Sequence, residues 1–355
     1  MKTQIKRNFK NSVLFPTRFL GLNAQCAAQL ELEKRYITHK MVPMQNNKIA
    51  FELEQAGNKH VFTIEQIIAF YLQKLHEFYV KDEVTTKDIV LTIPSYSSNT
   101  ERQALVDAAE IAGLKCLRVI NESTAICYNY GFFRKSDLSK EDERIVAFVD
   151  FGHSKTTVTV AGFKQQESRI ICHRSDRNLG GRDMDYQIAQ KLGEEFLAKF
   201  GEDPRTNPRC ILRLYETIEK ARKLLSGDTQ ANINIDYLLN EEDLNRVLKR
   251  EEFETLIDPQ IRQLTTLLRE SIEASGKYYK QSIFGLQLRV VWGLDWFGGV
   301  LTCFKPSWFE AAYYSPYIQT VAFSAPRLSY SCYIKKELSR SLCSLRDTTK
   351  RRVAR

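Results

Sequence analysis

No two of the eight cysteines form a C-x-x-C pair; they stand at 26, 116, 127, 172, 210, 303, 332 and 343. That scatter excludes a zinc ribbon and a disulfide framework, and reduced thiols are expected. None is proposed as a nucleophile, and Cys127 is expected in a core. No early segment joins basic residues to a long apolar stretch and a small-residue cleavage site, so no secretory signal is expected. Long uncharged apolar runs are missing too. The longest apolar stretch, 283–304, contains Arg289 and Asp295, and such charges would cost about 3 kcal/mol each at the centre of a bilayer.

What is present is the composition of a globular chain. Its 355 residues, 43% of them hydrophobic, are enough for two domains or one large bilobal unit. The formal charge of +9 is unevenly spread: beyond residue 280 eleven Lys/Arg face four Asp/Glu, leaving 41 against 39 before it. All three tryptophans, Trp292, Trp296 and Trp308, also lie in that last part. A boundary near Lys280 follows, and the body before it is almost neutral.

Between residues 63 and 131 the hydrophobic spacing alternates between two periods. Ile67, Ile68, Tyr71, Leu72, Leu75 and Phe78 recur at helical intervals, with Thr63 and Gln66 placed as a capping box. Ile89 to Ile93 is a β-branched run stopped by Pro94; Ser98 or Asn99 then caps a helix through Ala104, Leu105, Ala108 and Ile111, closed by Gly113. A further strand is expected at 117–120, and a helix starting at 121–124. Strands alternating with helices in this way predict an α/β fold with a largely parallel sheet. Farther on, the spacing predicts a hairpin over 145–163, a strand at 169–173, helices over 184–200, 211–225 and 250–274, and a half-exposed strand at 231–237. Residues 1–62 give only weak strand signals, at 48–53 and 60–62.

The hairpin IVAFVDFGHSKTTVTVAGF sets Asp150 at the lip of a turn made by Gly152, His153 and Ser154. Such a turn presents N–H groups to an anion, and a carboxylate beside it makes sense when it orders a hydrated metal bridging to a phosphate. The plain alternative is an Asp that ends a strand and bonds to turn amides. Glu122 also stands where a strand ends, the position at which ligands collect in α/β sheets. Gly180, Gly181, Arg182 and Asp183 lead into a helix whose free amides are expected to favour anions. Glu219, Arg222, Lys223 and Ser226 share one helix face, suited to a ribose and an adenine, or else are a solvated charged surface.

LTIPSYSSNTERQALVDAAEIAGLKCLRVINESTAICYNYG resembles the heat-shock protein 70 superfamily, with its strand ending in proline, its helix closing in Ala-Gly-Leu and its Asn-Glu-Pro-Thr-Ala. FVDFGHSKTTV is similar to that family's second phosphate loop, LGGRDMD to its Leu-Gly-Gly-x-Asp-Phe-Asp, and IEKARKLLSGDTQA to its adenosine-contacting helix. Gly-His-Ser in place of three glycines, Ser123 in place of a proline, and the stretch 115–122 resemble the heat-shock protein 110 branch. The motifs cover the chain to about residue 280.

The resemblance implies an α/β, actin-like (ribonuclease H-like) ATPase domain of two lobes, binding ATP or ADP with Mg2+ in an interlobe cleft and incomplete at both ends. Residues 1–140 would be lobe I, 141–280 lobe II, and 281–355 a basic Trp-containing tail of unassigned structure. Glu122 is then expected on the catalytic water and magnesium shell, and Asp150 on the metal through water. Gly152, His153, Ser154, Gly180 and Gly181 are expected on the phosphates, His153 without a catalytic role. Glu219, Arg222, Lys223 and Ser226 are expected on adenosine. The implied protein is a cytoplasmic chaperone or co-chaperone, with the nucleus open as a second location. Its implied partner is a heat-shock protein 70 chaperone whose nucleotide it exchanges, and unfolded polypeptides are partners only where a substrate domain exists.

Three departures bear on activity. Nothing in MKTQIKRNFKN matches the family's first phosphate loop, approximately Asp-Leu-Gly-Thr-Thr. The lysine of the family's Lys-Arg-x-x-Gly is replaced in Thr17-Arg18-Phe19-Leu20-Gly21, so a fixed positive charge for phosphoryl transfer is lacking and hydrolysis is expected to be impaired. The loop Gly-Gly-x-Thr-Arg-Ile-Pro does not follow Ser275. Strands lost from a central sheet leave buried backbone groups unsatisfied, at about 1 to 3 kcal/mol apiece. Two readings stay open for residues 281–355: the β-prone 286–292 supplies a replacement strand, or the stretch derives from non-coding or frame-shifted sequence. Two other functions also stay open, a nucleotide-independent module docking on a chaperone partner and, much less favoured, nucleic-acid binding by the basic tail.

Overall fold

The computed structural model describes residues 8–55, 57–79, 86–276, 283–290 and 321–323. The chain divides into two compact units, with the break in sequence between Ala125 and Ile126.

In the first unit α1 (Ala27–Lys34) precedes an antiparallel sheet of β1 (Lys40–Pro43), β2 (Ile49–Gln55) and β3 (Asn58–Thr63). Gln66 N–H donates to Thr63 Oγ1 at 3.2 Å and Thr63 N–H to Gln66 Oε1 at 3.0 Å, so the expected capping box starts α2 (Ile64–Tyr79). β4 (Asp88–Ile93) and β5 (Lys115–Asn121) pair parallel, joined by α3 (Asn99–Ile111), which begins in a Ser98/Glu101 capping box. Gly113, at φ +73°, turns the chain out of that helix. The core buries Phe19, Phe51, Ile68, Leu72, Leu91 and Leu105. Against it lies His39, its ring 4.3 Å from that of Phe51 and edge-on to it.

α4 (Glu122–Phe133) follows β5 without a break and continues into the second unit. There β6 (Arg144–Phe151), β7 (Thr156–Phe163) and β8 (Ser168–Asp176) run antiparallel. α5 (Gly181–Phe200) and α6 (Pro208–Leu224) come next, then an antiparallel pair, β9 (Gln230–Leu239) and β10 (Glu242–Lys249), and α7 (Arg250–Ala274). β9 buries Ala231, Ile233 and Ile235 against Leu214 and Ile218 of α6 and Phe253 and Ile257 of α7, the alternation the sequence predicts.

Within residues 281–355 the structure describes two strands. β11 (Ile283–Val290) pairs parallel with β6, and β12 (Val321–Phe323) pairs parallel with β11, giving the order β12-β11-β6-β7-β8. β11 overlaps the stretch whose composition offered a strand. This sheet is mixed: β6, β7 and β8 run antiparallel, with the hairpin expected over 145–163, while the parallel pairing expected from the alternation over residues 63–131 is that of β4 and β5. β6 and β7 are buried along nearly their whole length. On them packs α4, through Tyr130, whose ring lies 4.7 Å from that of Phe163, and through Cys127. As expected, Cys127 is in a core, and burial pushes its thiol up to about 12.

Candidate functional site

The site residues of the second unit are organised by one hairpin. Asp150 faces Thr157 across the β6–β7 ladder and is half-buried near the end of an otherwise buried strand. Phe151 and Thr156 form the last pair, and Gly152 N–H closes the turn onto the Lys155 carbonyl at 2.9 Å. Thr156, fully buried, donates its hydroxyl to the Leu179 carbonyl at 2.7 Å, pinning the hairpin to the segment that carries Gly180 and Gly181.

That segment is interlocked with the turn. Gly181 N–H donates to the Gly152 carbonyl at 3.0 Å, and Arg182 N–H to the His153 carbonyl at 2.8 Å. A Cβ on Gly180 would collide with the His153 carbonyl and stand 2.6 Å from Ser154 N, so only glycine fits there. Gly180 N–H is itself taken by the Asp183 carboxylate at 2.8 Å. The expectation of free amides at this helix start is therefore corrected: those of Gly180, Gly181, Arg182 and Asp183 all bond within the protein, because the helix begins against the hairpin and not in solvent. Among the described residues Ser154 makes no hydrogen bond through its N–H or hydroxyl. Asp150, Gly152, His153, Ser154, Gly180 and Gly181 are thus brought together.

The helix expected to hold adenosine is α6 and its end. Lys223 Nζ pairs with Glu219 Oε1 at 2.5 Å, and the Ser226 hydroxyl donates to the Lys223 carbonyl at 2.6 Å. Arg222 turns the other way. It is 4% exposed and grips both carboxylate oxygens of Asp185, through Nε at 2.5 Å and Nη2 at 3.0 Å. Burial raises the Asp185 carboxyl above its ordinary range, against the pull of Arg222.

Glu122 belongs to the first unit, where it opens α4 directly after β5. The residue before it is held by Arg102, whose Nη2 donates to Asn121 Oδ1 at 2.8 Å. Thr17 sits half-buried in a turn over Pro16–Phe19. Its neighbour Arg18 is buried and bound to Glu33, which is 0% exposed, through Nε at 2.8 Å. Gly21, at φ +67°, lies so close to the start of α3 that a Cβ would be 2.8 Å from Glu101 Cα. Asp185, Thr156 and Glu33 were not legible as site residues: each acts through a partner 15 or more residues away in sequence, and no local pattern marks such pairs. Among the described residues no three His, Cys, Asp or Glu side chains cluster to hold a metal ion.

A family model described as Hsp70 protein matches residues 1–285. The chain is 34% identical over 267 residues to a heat shock protein homolog of Saccharomyces cerevisiae, covering 74% of this chain and 38% of that protein. It is 33% identical over 285 residues to the heat shock protein hsp88 of Neurospora crassa, with coverage of 79% and 40%. To the 97 kDa heat shock protein of Strongylocentrotus purpuratus it is 32% identical over 278 residues, with coverage of 77% and 31%. It therefore spans two fifths or less of the length of these relatives. No helix among the described residues is long and apolar enough to cross a membrane. With its β-hairpin turn, its Gly-Gly strap and these relatives of the heat-shock protein 110 type, the chain belongs to the Hsp70 family and carries that family's actin-like nucleotide-binding domain.

Proposed function

We propose that the chain binds ADP or ATP with Mg2+, as part of a chaperone or co-chaperone of the heat-shock protein 110 type, and that its hydrolysis is impaired. The observation that carries this reading is the interlock of the Gly180-Gly181 strap with the Gly152-His153-Ser154 turn beside Asp150. Packed backbone to backbone at Gly180, the two segments leave no side chain between them and hold the turn in the fixed shape that binding a phosphate requires. Ser154 supplies an N–H and a hydroxyl to that anion, with Gly152 and His153 shaping the turn and Gly180 and Gly181 bracing it. Glu219, Lys223 and Ser226 serve the adenosine, while Arg222, whose guanidinium is bound to Asp185, holds their helix.

The carboxylate beside the turn suits magnesium: Asp150 is fitting for a hard cation that keeps most of its waters and binds substrate phosphates. When bound, that ion neutralises charge on the phosphates. Thr17 carries no charge, and the cation next to it, Arg18, is committed to Glu33. Impaired turnover follows. In a cytoplasmic setting such a protein acts on a heat-shock protein 70 partner as its nucleotide-exchange factor.

The decisive measurement is the melting curve of the full chain with millimolar Mg-ADP. Stabilisation is expected, and loss of that stabilisation in Asp150→Asn without Mg-independent unfolding. An unmoved curve sinks the nucleotide reading. It would leave the second reading, a module that docks on a partner chaperone without nucleotide, which draws on the ion pairs Glu219 to Lys223 and Asp185 to Arg222 already closed within α5 and α6. Co-purification with a heat-shock protein 70 nucleotide-binding domain tests it.

A further inference from the structure

Arg222 lies on the helix assigned to adenosine, yet its guanidinium is spent inside the protein. It clasps Asp185, on the second turn of α5 and 4% exposed, with two hydrogen bonds. The same guanidinium lies over Gly181, where a Cβ would stand 3.6 Å from both Nη1 and Nη2. Gly181 N–H in turn holds the Gly152 carbonyl at 3.0 Å, and Arg182 N–H holds the His153 carbonyl at 2.8 Å. Hydrogen bonds at both ends and the first turn of α5 between them thus connect α6 to the turn beside Asp150. The guanidinium fork matches a carboxylate in one planar geometry, so the link is stiff. Removing either partner leaves a buried charge unmatched, so the link is also sensitive.

We infer, on the reading that this unit holds nucleotide, that Arg222 is a positioning residue: through Asp185 and Gly181 it fixes the phosphate turn relative to α6. The grip on phosphate and the grip on adenosine then depend on each other. A ligand that reaches both, a nucleoside diphosphate or triphosphate, gains from that arrangement over inorganic pyrophosphate or adenosine alone.

Amide hydrogen exchange on the full chain, without nucleotide, reads the link directly. Arg222→Ala and Asp185→Asn are each expected to speed exchange at Gly181 and Arg182 at least tenfold. Arg222→Lys, which keeps the charge and loses the fork, should fall between them and the native chain. Lys220→Ala on the same helix, where the lysine is exposed and paired with Glu216 at 2.9 Å, should leave both amides unchanged. Titration with Mg-pyrophosphate and with adenosine as separate probes gives the second readout: Arg222→Ala should weaken pyrophosphate binding at least tenfold. Native exchange at both amides in Arg222→Ala, with only adenosine binding reduced, would make Arg222 a direct adenosine contact and overturn the proposal. Should Arg222→Ala not fold, native exchange in Arg222→Lys overturns it instead. Failure of the native chain to bind Mg-ADP strikes the nucleotide reading alone, because the exchange measurement still decides the link.

Discussion

Gly180 and Gly181 are neighbours with different reasons to be glycine. At Gly180 an added methyl meets backbone, Ser154 N at 2.6 Å, which cannot swing aside; at Gly181 it meets only the Arg222 guanidinium at ordinary contact distance, 3.6 Å. Gly180→Ala is therefore expected to cost about 1 to 3 kcal/mol, and Gly181→Ala to stay within about 0.5 kcal/mol, both by urea denaturation. His39 gives a residue-scale prediction in pH. Burial pulls its imidazole from 6.5 down to about 4, the nearby Ser12 backbone opposing this. Because the folded pKa is depressed, the neutral form is favoured in the fold and the unfolded chain takes up the proton first. Stability should be full above about pH 6.5 and fall by about 1.4 kcal/mol per unit toward pH 4. In His39→Gln that part of the slope should vanish. The residues around the hairpin turn were legible in the sequence because glycines and an aspartate at a strand end announce themselves locally. The ion pair of Arg222 with Asp185 was not, since it joins positions 37 apart.

Among the elements, the turn over Pro16–Phe19 is tied to α1 by the buried pair of Arg18 and Glu33, with Gln29 Nε2 also donating to Glu33 at 2.8 Å. Breaking it with Glu33→Ala should cost about 3 to 5 kcal/mol, while an Arg18→Leu, Glu33→Leu double variant should recover most of that loss. Neither α1 nor β1 was foreseen, because at eight and four residues each is too short to show a period and takes its place from tertiary contacts. β10 escaped for a related reason: only Leu244 and Leu248 of its residues are buried. β11 allows a sharper test. It lies between β6 and β12, with Leu288 opposite Val149 on one side and Phe323 on the other. A proline there cannot donate to the ladder, so Leu288→Pro should destabilise the second unit by about 2 kcal/mol or more in urea. No change would mean that β6 does not depend on this neighbour.

At the scale of the whole molecule, ligand binding and stability are linked. If Mg-ADP binds the native chain only, a concentration a hundred times its dissociation constant should add about 2.7 kcal/mol to unfolding, and the melting temperature should climb with the logarithm of concentration. The actin-like architecture was legible through the resemblance of four motifs, in the right order, to those of a known family. The parallel direction of β4 and β5 was legible from the helix between them, and the antiparallel direction of β6 and β7 from the shortness of their turn. Charge is a molecular property too, and its concentration beyond residue 280 leaves the body before it near neutrality.

The thiol of Cys127, held at about 12 on the buried side of α4, has a practical consequence. Iodoacetamide attacks thiolates, so it reaches this sulfur only when the helix lifts from β6 and β7. The rate of its alkylation is a built-in clock for breathing of that core, with no label to be introduced.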